Sequence, residues 1–96
     1  MTDQEILFIR KFIETHPFKF AKSMPYIPHE YVLSKNVPEE EFHQFAKLIH
    51  DNGTDEKFGK RLYRYLYYQD HKYWILPSPT PGVFVLNRAR IKKATA

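Results

Sequence analysis

The densest set of chemically capable side chains lies between Phe18 and Tyr31, in the run Phe-Lys-Phe-Ala-Lys-Ser-Met-Pro-Tyr-Ile-Pro-His-Glu-Tyr. It carries Lys22, His29, Glu30 and Tyr31, and Pro25 and Pro28 stiffen it, so that polar groups can be held in a fixed constellation. His29 could donate to a phosphate oxygen, or take and return a proton as a general acid and base. The plainer alternative is that His29 ends a strand and Tyr31 packs in the core. Farther along, Arg88 offers a planar fork for phosphate or carboxylate, and Asn87 beside it could read a base edge or hold the loop. Antiparallel pairing of their strand would bring both next to Pro28-His29. The alternative for Arg88 is a solvated strand end. Tyr65 and Trp74 are the candidates for stacking on a planar ligand.

Other chemistries are excluded or unsupported. The chain has no cysteine, which removes disulfides, thiolate metal sites and cysteine nucleophiles together. Three glycines cannot build a glycine-rich phosphate loop or dinucleotide fingerprint, and no nucleophile elbow or Ser-His-Asp order is present. His43 and His50 are seven apart, whereas two imidazoles on a helix reach one ion at a spacing of four, and no third ligand is patterned with them. His16 and His71 fall at a helix end and a turn. Glu39, Glu40 and Glu41 open a helix, where the dipole favours negative charge. No metal and no cofactor are therefore expected. A metal-independent phosphodiesterase using His29 with Lys22, Tyr31 or Arg88 remains chemically possible.

At 96 residues the chain can fill one small core, not two. No apolar run is long enough to span a bilayer, and the Met-Thr-Asp-Gln-Glu start does not read as a secretory leader; a cytoplasmic location is expected. The net charge of +4 is divided unevenly. Residues 1–56 carry six basic and ten acidic groups, a sum of −4, and residues 57–96 carry nine basic groups against Asp70, a sum of +8. That asymmetry points to an anionic partner, whether nucleotide, nucleic acid or acidic protein surface. The competing reading is charge that serves solubility alone.

The elements that must position these groups can be read from periodicity. Thr2 and Glu5 form a capping box, and apolar residues at helical spacing follow, so a first helix is expected from Asp3 to Thr15. Pro17 ends it. Phe18 to Pro28 reads as an ordered loop or short extended segment, and Tyr31 to Leu33 as a strand. Pro38 introduces a second helix with its stripe at Phe42, Phe45, Ala46 and Ile49, and Asn52-Gly53 is expected to supply a left-handed cap. From Arg61 the period changes to two, giving strands over 61–68 and 72–76 about a turn at Gln69-Asp70-His71, and a last strand from Val83 to Asn87. The expected fold is α+β: two helices on one face of a mainly antiparallel sheet of about four strands, in the order α-β-α-β-β-β. Residues 1–88 would form the domain and 89–96 a fraying basic tail. Two helices cover one face only, which leaves an aromatic face, rich in tyrosine and interleaved with Arg and Lys, open to bind bases or simply to pair across strands.

The pattern Phe20-Ala21-Lys22, Met24-Pro25, Pro28-His29-Glu30-Tyr31, Phe58-Gly59, Tyr65-Leu66, Tyr73-Trp74 and Asn87-Arg88 resembles a family of small bacterial and phage-borne proteins of uncharacterised function. The resemblance implies a compact domain with polar pocket residues, and its phage and mobile-element settings imply, by analogy, a counter-defence role such as sequestering a nucleotide signal. Residues and resemblance together lead to a small protein that binds a phosphate-bearing ligand, a nucleotide above all, through Lys22, His29, Tyr31, Asn87 and Arg88, with Tyr65 or Trp74 stacking. The alternatives are a single-stranded nucleic-acid-binding module, the phosphodiesterase, and a module that blocks an acidic protein.

Overall fold

The structure, a computed structural model, describes residues 1–21 and 29–91. The elements run α1 (Asp3–Thr15), β1 (Lys19–Ala21), β2 (His29–Leu33), a 3-10 turn (Ser34–Asn36), α2 (Glu39–Asn52), β3 (Thr54–Phe58), β4 (Arg61–Tyr68), β5 (His71–Pro77) and β6 (Phe84–Arg90). The strands form one antiparallel sheet in the order β1-β2-β6-β5-β4-β3. Successive hairpins build β3 through β6, and the sheet closes when β6 returns beside β2, which precedes α2 in the chain.

The class is the α+β fold read from the pattern, but the sheet has six strands instead of about four. The two additions are edge strands. β1 is three residues long, and β3, Thr-Asp-Glu-Lys-Phe, is charged and almost wholly exposed. An edge strand wetted on both faces needs no apolar alternation, so no period-two signal marks it. What fixes β3 is the two-residue connection to β4, where Gly59 takes φ +65 and relieves the clash that a side chain would meet. The last strand begins at Phe84 and runs on to Arg90, past Asn87, with Ala89 buried.

At the start of α1 the Glu5 N–H donates to Thr2 Oγ1 at 3.2 Å while the Thr2 N–H donates to Glu5 Oε1 at 2.8 Å. The Thr2 N–H first, with the Thr2 side chain second, holds the Glu5 carboxyl below its usual range. The other end of the helical layer differs from expectation. Gly53 has φ −79 and ψ 168, which is extended and not left-handed. Its smallness serves a close approach: a Cβ there would sit 2.3 Å from the Ile49 carbonyl oxygen and 3.0 Å from that of Tyr65. Asn52 caps by side chain, donating to the Leu48 carbonyl at 3.2 Å.

Both helices pack on the same side of the sheet. Ile9 and Phe12 of α1 and Phe42, Phe45, Leu48 and Ile49 of α2 meet Val32, Leu66, Tyr73 and Leu86. Phe45 is the hub, its ring centroid 4.9 Å from Phe12 and 5.5 Å from Tyr73. Leu48 completes the α2 stripe, whereas Ala46 is half-buried beside it.

Candidate binding face

Because side chains alternate along a strand, the register that sends Val32, Leu86, Tyr73 and Leu66 to the helices sends their neighbours to the opposite face. Tyr31 pairs with Asn87, and Asn87 with Trp74. The pairing of Leu66 with Tyr73 brings Tyr65 beside Trp74, edge to face, with ring centroids 5.4 Å apart. Tyr31, Asn87, Trp74 and Tyr65 thus form a row across four strands, and the His29 ring lies 6.0 Å from Trp74. Lys72 sets its ammonium 4.6 Å above the Tyr65 ring, a cation–π contact.

Within the row the residues differ in access. Tyr65 is 6% exposed and Asn87 4%, and the Asn87 amide donates to the Val85 carbonyl at 3.3 Å. Tyr65 therefore supports its neighbours more than it offers a surface. Tyr31, His29 and Trp74 are half-buried, the state in which a ring packs at one edge and meets a ligand with the rest. At the β4 end, the exposed Tyr67 donates its hydroxyl to Glu56, and this bond first, with partial burial second, pushes the phenol up to about 12. Burial, with the Glu56 charge second, raises Tyr65 as well.

Arg88, expected among these groups, points the other way. One residue beyond Asn87, it lies on the helix-covered face, where Nε donates to Glu30 Oε1 at 3.1 Å and Nη2 to Oε2 at 3.3 Å. Its guanidinium carbon is 4.4 Å from the centroid of Phe18. Burial works against its charge, but hydrogen bonding with Glu30 and Tyr73 outweighs it and raises the pKa. Arg88 is a clamp joining β6, β2 and the chain leaving α1. Lys22 lies outside the described residues.

A cleft of about 640 Å³ runs along the open face over β2 and β6, within the size range of small-ligand sites. Its floor is His29, Tyr31, Leu33, Val85 and Asn87, with Ala21 at one end and Lys35 at the other. The proline-rich connection after β5 forms one wall through Ser78, Pro79 and Thr80. That wall is internally braced: Ser78 N–H donates to the Val83 carbonyl at 3.0 Å, and Ser78 Oγ accepts from Thr80 N–H at 3.1 Å. Adjoining that wall at the start of β6, Ser34 Oγ accepts the Phe84 N–H at 2.9 Å and fastens the 3-10 turn that carries Lys35. Ser34, Lys35 and Ser78 are not among the candidate site residues of the sequence, since each is a common surface type in no recognisable spacing; the pairing of β2 with β6 is what makes them neighbours.

The folded charge pattern also differs from the linear one. Arg88 is matched by Glu30, and Arg64 by Asp55 at 2.9 Å, so two cations of the basic half are neutralised by carboxylates of the acidic half. Among the described residues, Lys35 and Lys72 enter no ion pair. His16, His43 and His50 lie against Glu41, Glu39 and Asp51 singly, and among the described residues no three His, Asp or Glu side chains gather as metal ligands would. No helix of the described residues is long and apolar enough to cross a membrane. No protein-family model, no curated protein and no solved structure matches the chain.

Proposed function

We propose that the protein binds a ligand combining a planar ring with a phosphate, a nucleotide or nucleotide-derived signal, on the open face of its sheet. The observation that carries this reading is the alternation that gathers His29, Tyr31, Trp74 and Asn87 on the face away from the helices, where His29, Tyr31 and Asn87 line a cleft of suitable size and Trp74 lies beside His29. Half-buried rings supply stacking, and a buried amide supplies a directional polar contact; lysines without carboxylate partners supply charge. Arg88 and Tyr65 act in this reading as supports, the first through Glu30 and the second beneath Lys72 and Trp74.

Trp74 is the chain's single tryptophan, so its fluorescence reports from the proposed surface. Titration with 5′-nucleotides and cyclic nucleotides is expected to quench it to saturation. Asn87→Ala should weaken the response, and a ligand at about a hundredfold over its Kd should add ~2.7 kcal/mol of stability. Absence of any saturable change with all of them overturns the reading. Response only to oligonucleotides, falling steeply with salt, would replace it with single-stranded nucleic-acid binding.

A further inference from the structure

Resting on the nucleotide reading above, we infer that the cleft has a phosphate end and a ring end, and that Lys35 is the phosphate-binding residue. The two ends differ in chemistry. At one, the His29 ring lies 6.0 Å from Trp74. At the other, Lys35 stands beside Leu33 and Val85 at the close of the cleft floor. A strand rises about 3.3 Å per residue, so His29 to Leu33 spans ~13 Å, room for a heterocycle at one end and a phosphate at the other.

Three observations select Lys35 among the cations. Arg88 and Arg64 are held by Glu30 and Asp55, and Lys72, though on the same face, is seated over the Tyr65 ring. Lys35 has no carboxylate partner among the described residues, and it is the one described lysine or arginine that lines the cleft, whereas Lys19, also without an ion pair and registered opposite Tyr31, does not. Its backbone is nonetheless fixed, because Ser34 Oγ holds the Phe84 N–H and the Val37 N–H reaches the Ser34 carbonyl. A cation on an anchored turn, facing a cleft and lacking a counter-charge, is placed to receive an anion. Ser34 is the positioning residue for it.

The test compares each of the four common ribonucleosides with its 5′-monophosphate, titrated against the full chain by Trp74 fluorescence at low salt. The monophosphate should bind at least about tenfold more tightly than its nucleoside, the effect of one charge-assisted contact. Lys35→Ala should bring the monophosphate to the nucleoside's affinity and leave the nucleoside unchanged, Lys35→Arg should keep the advantage, and Ser34→Ala should lose part of it. Equal affinities of nucleoside and monophosphate overturn the inference. So does loss of the phosphate advantage in Lys72→Ala but not in Lys35→Ala. In both cases nucleoside binding still stands, and with it the site. If neither nucleosides nor monophosphates change the Trp74 signal, the nucleotide reading itself fails, and the assignment of Lys35 with it.

Discussion

The two faces of the sheet are made by the same strands and differ only in which alternate residues they present. On the covered face, polar groups are neutralised where they stand: Arg88 is forked onto Glu30, and Tyr73, 1% exposed, packs on Phe45. On the open face, Tyr31, Trp74 and His29 stay half-exposed, and Lys35 and Lys72 lack carboxylate partners among the described residues. A face evolved only to be wet would not need large rings there. The difference separates residues that hold the fold from residues available to a ligand, although both kinds lie a single position apart at Asn87 and Arg88.

The largest effect should come from breaking the covered face at its hub. Phe45 is fully buried against Phe12, Phe8 and Tyr73, and Phe45→Ala should cost ~3–5 kcal/mol of unfolding free energy. Trp74→Ala, on the open face, should cost less, about 1–2 kcal/mol for a half-buried ring. Denaturant unfolding of both variants reads the comparison directly. Equal losses would mean that the open face is a second core and not a binding surface.

The Arg88 clamp gives the next effect. Glu30→Gln leaves the guanidinium without its counter-charge in a site where its side chain is 17% exposed and that of Glu30 34%. The cost of stranding a fully buried partner falls here to about 1–2 kcal/mol because water reaches the pair. Pairing Glu30→Leu with Arg88→Met should recover part of that loss. Either way, nucleotide affinity measured in the folded protein should stay within about twofold, since the clamp faces away from the cleft. A tenfold loss of affinity in Glu30→Gln would show that the two faces are coupled.

Much of this was legible in the sequence, and what was not has physical causes. The α1 boundaries followed from Thr2, Glu5 and Pro17, which act locally, and the open aromatic face followed from counting helices against sheet faces. The side of the sheet taken by Arg88 did not follow. A period-two pattern says that neighbours diverge, but only the β2–β6 register, between residues far apart in the chain, says that Glu30 waits on the covered side. The same non-local pairing brings Lys35 to the cleft. Strand β3 leaves no mark in the sequence because a charged edge strand is specified by its partner, and the constraint on Gly53 is the nearness of Ile49 and Tyr65 rather than its own φ.

The smallest effects are those of pH, and they have opposite signs on two groups. His71, on the covered face, is lowered from 6.5, by burial first and by the Arg88 charge second. A depressed base binds its proton less in the folded chain, so the stability is present above pH 6.5 and is lost as pH falls through the folded value. Tyr67, on the open face, is raised from 10.0 to about 12 by its bond to Glu56. It holds its proton more tightly when folded, so its contribution is complete below pH 10 and is lost as pH rises toward 12. His71→Asn should flatten the acid limb of the stability profile and leave the alkaline limb alone. Tyr67→Phe should make the alkaline fall shallower without abolishing it, because burial raises Tyr73 as well. Since Tyr67 is 41% exposed, that change should be modest and should shrink with added salt. An alkaline limb unchanged in Tyr67→Phe would assign it to the buried Tyr73 and Tyr65 instead, and would leave the Tyr67–Glu56 bond without a share in holding β3 to β4.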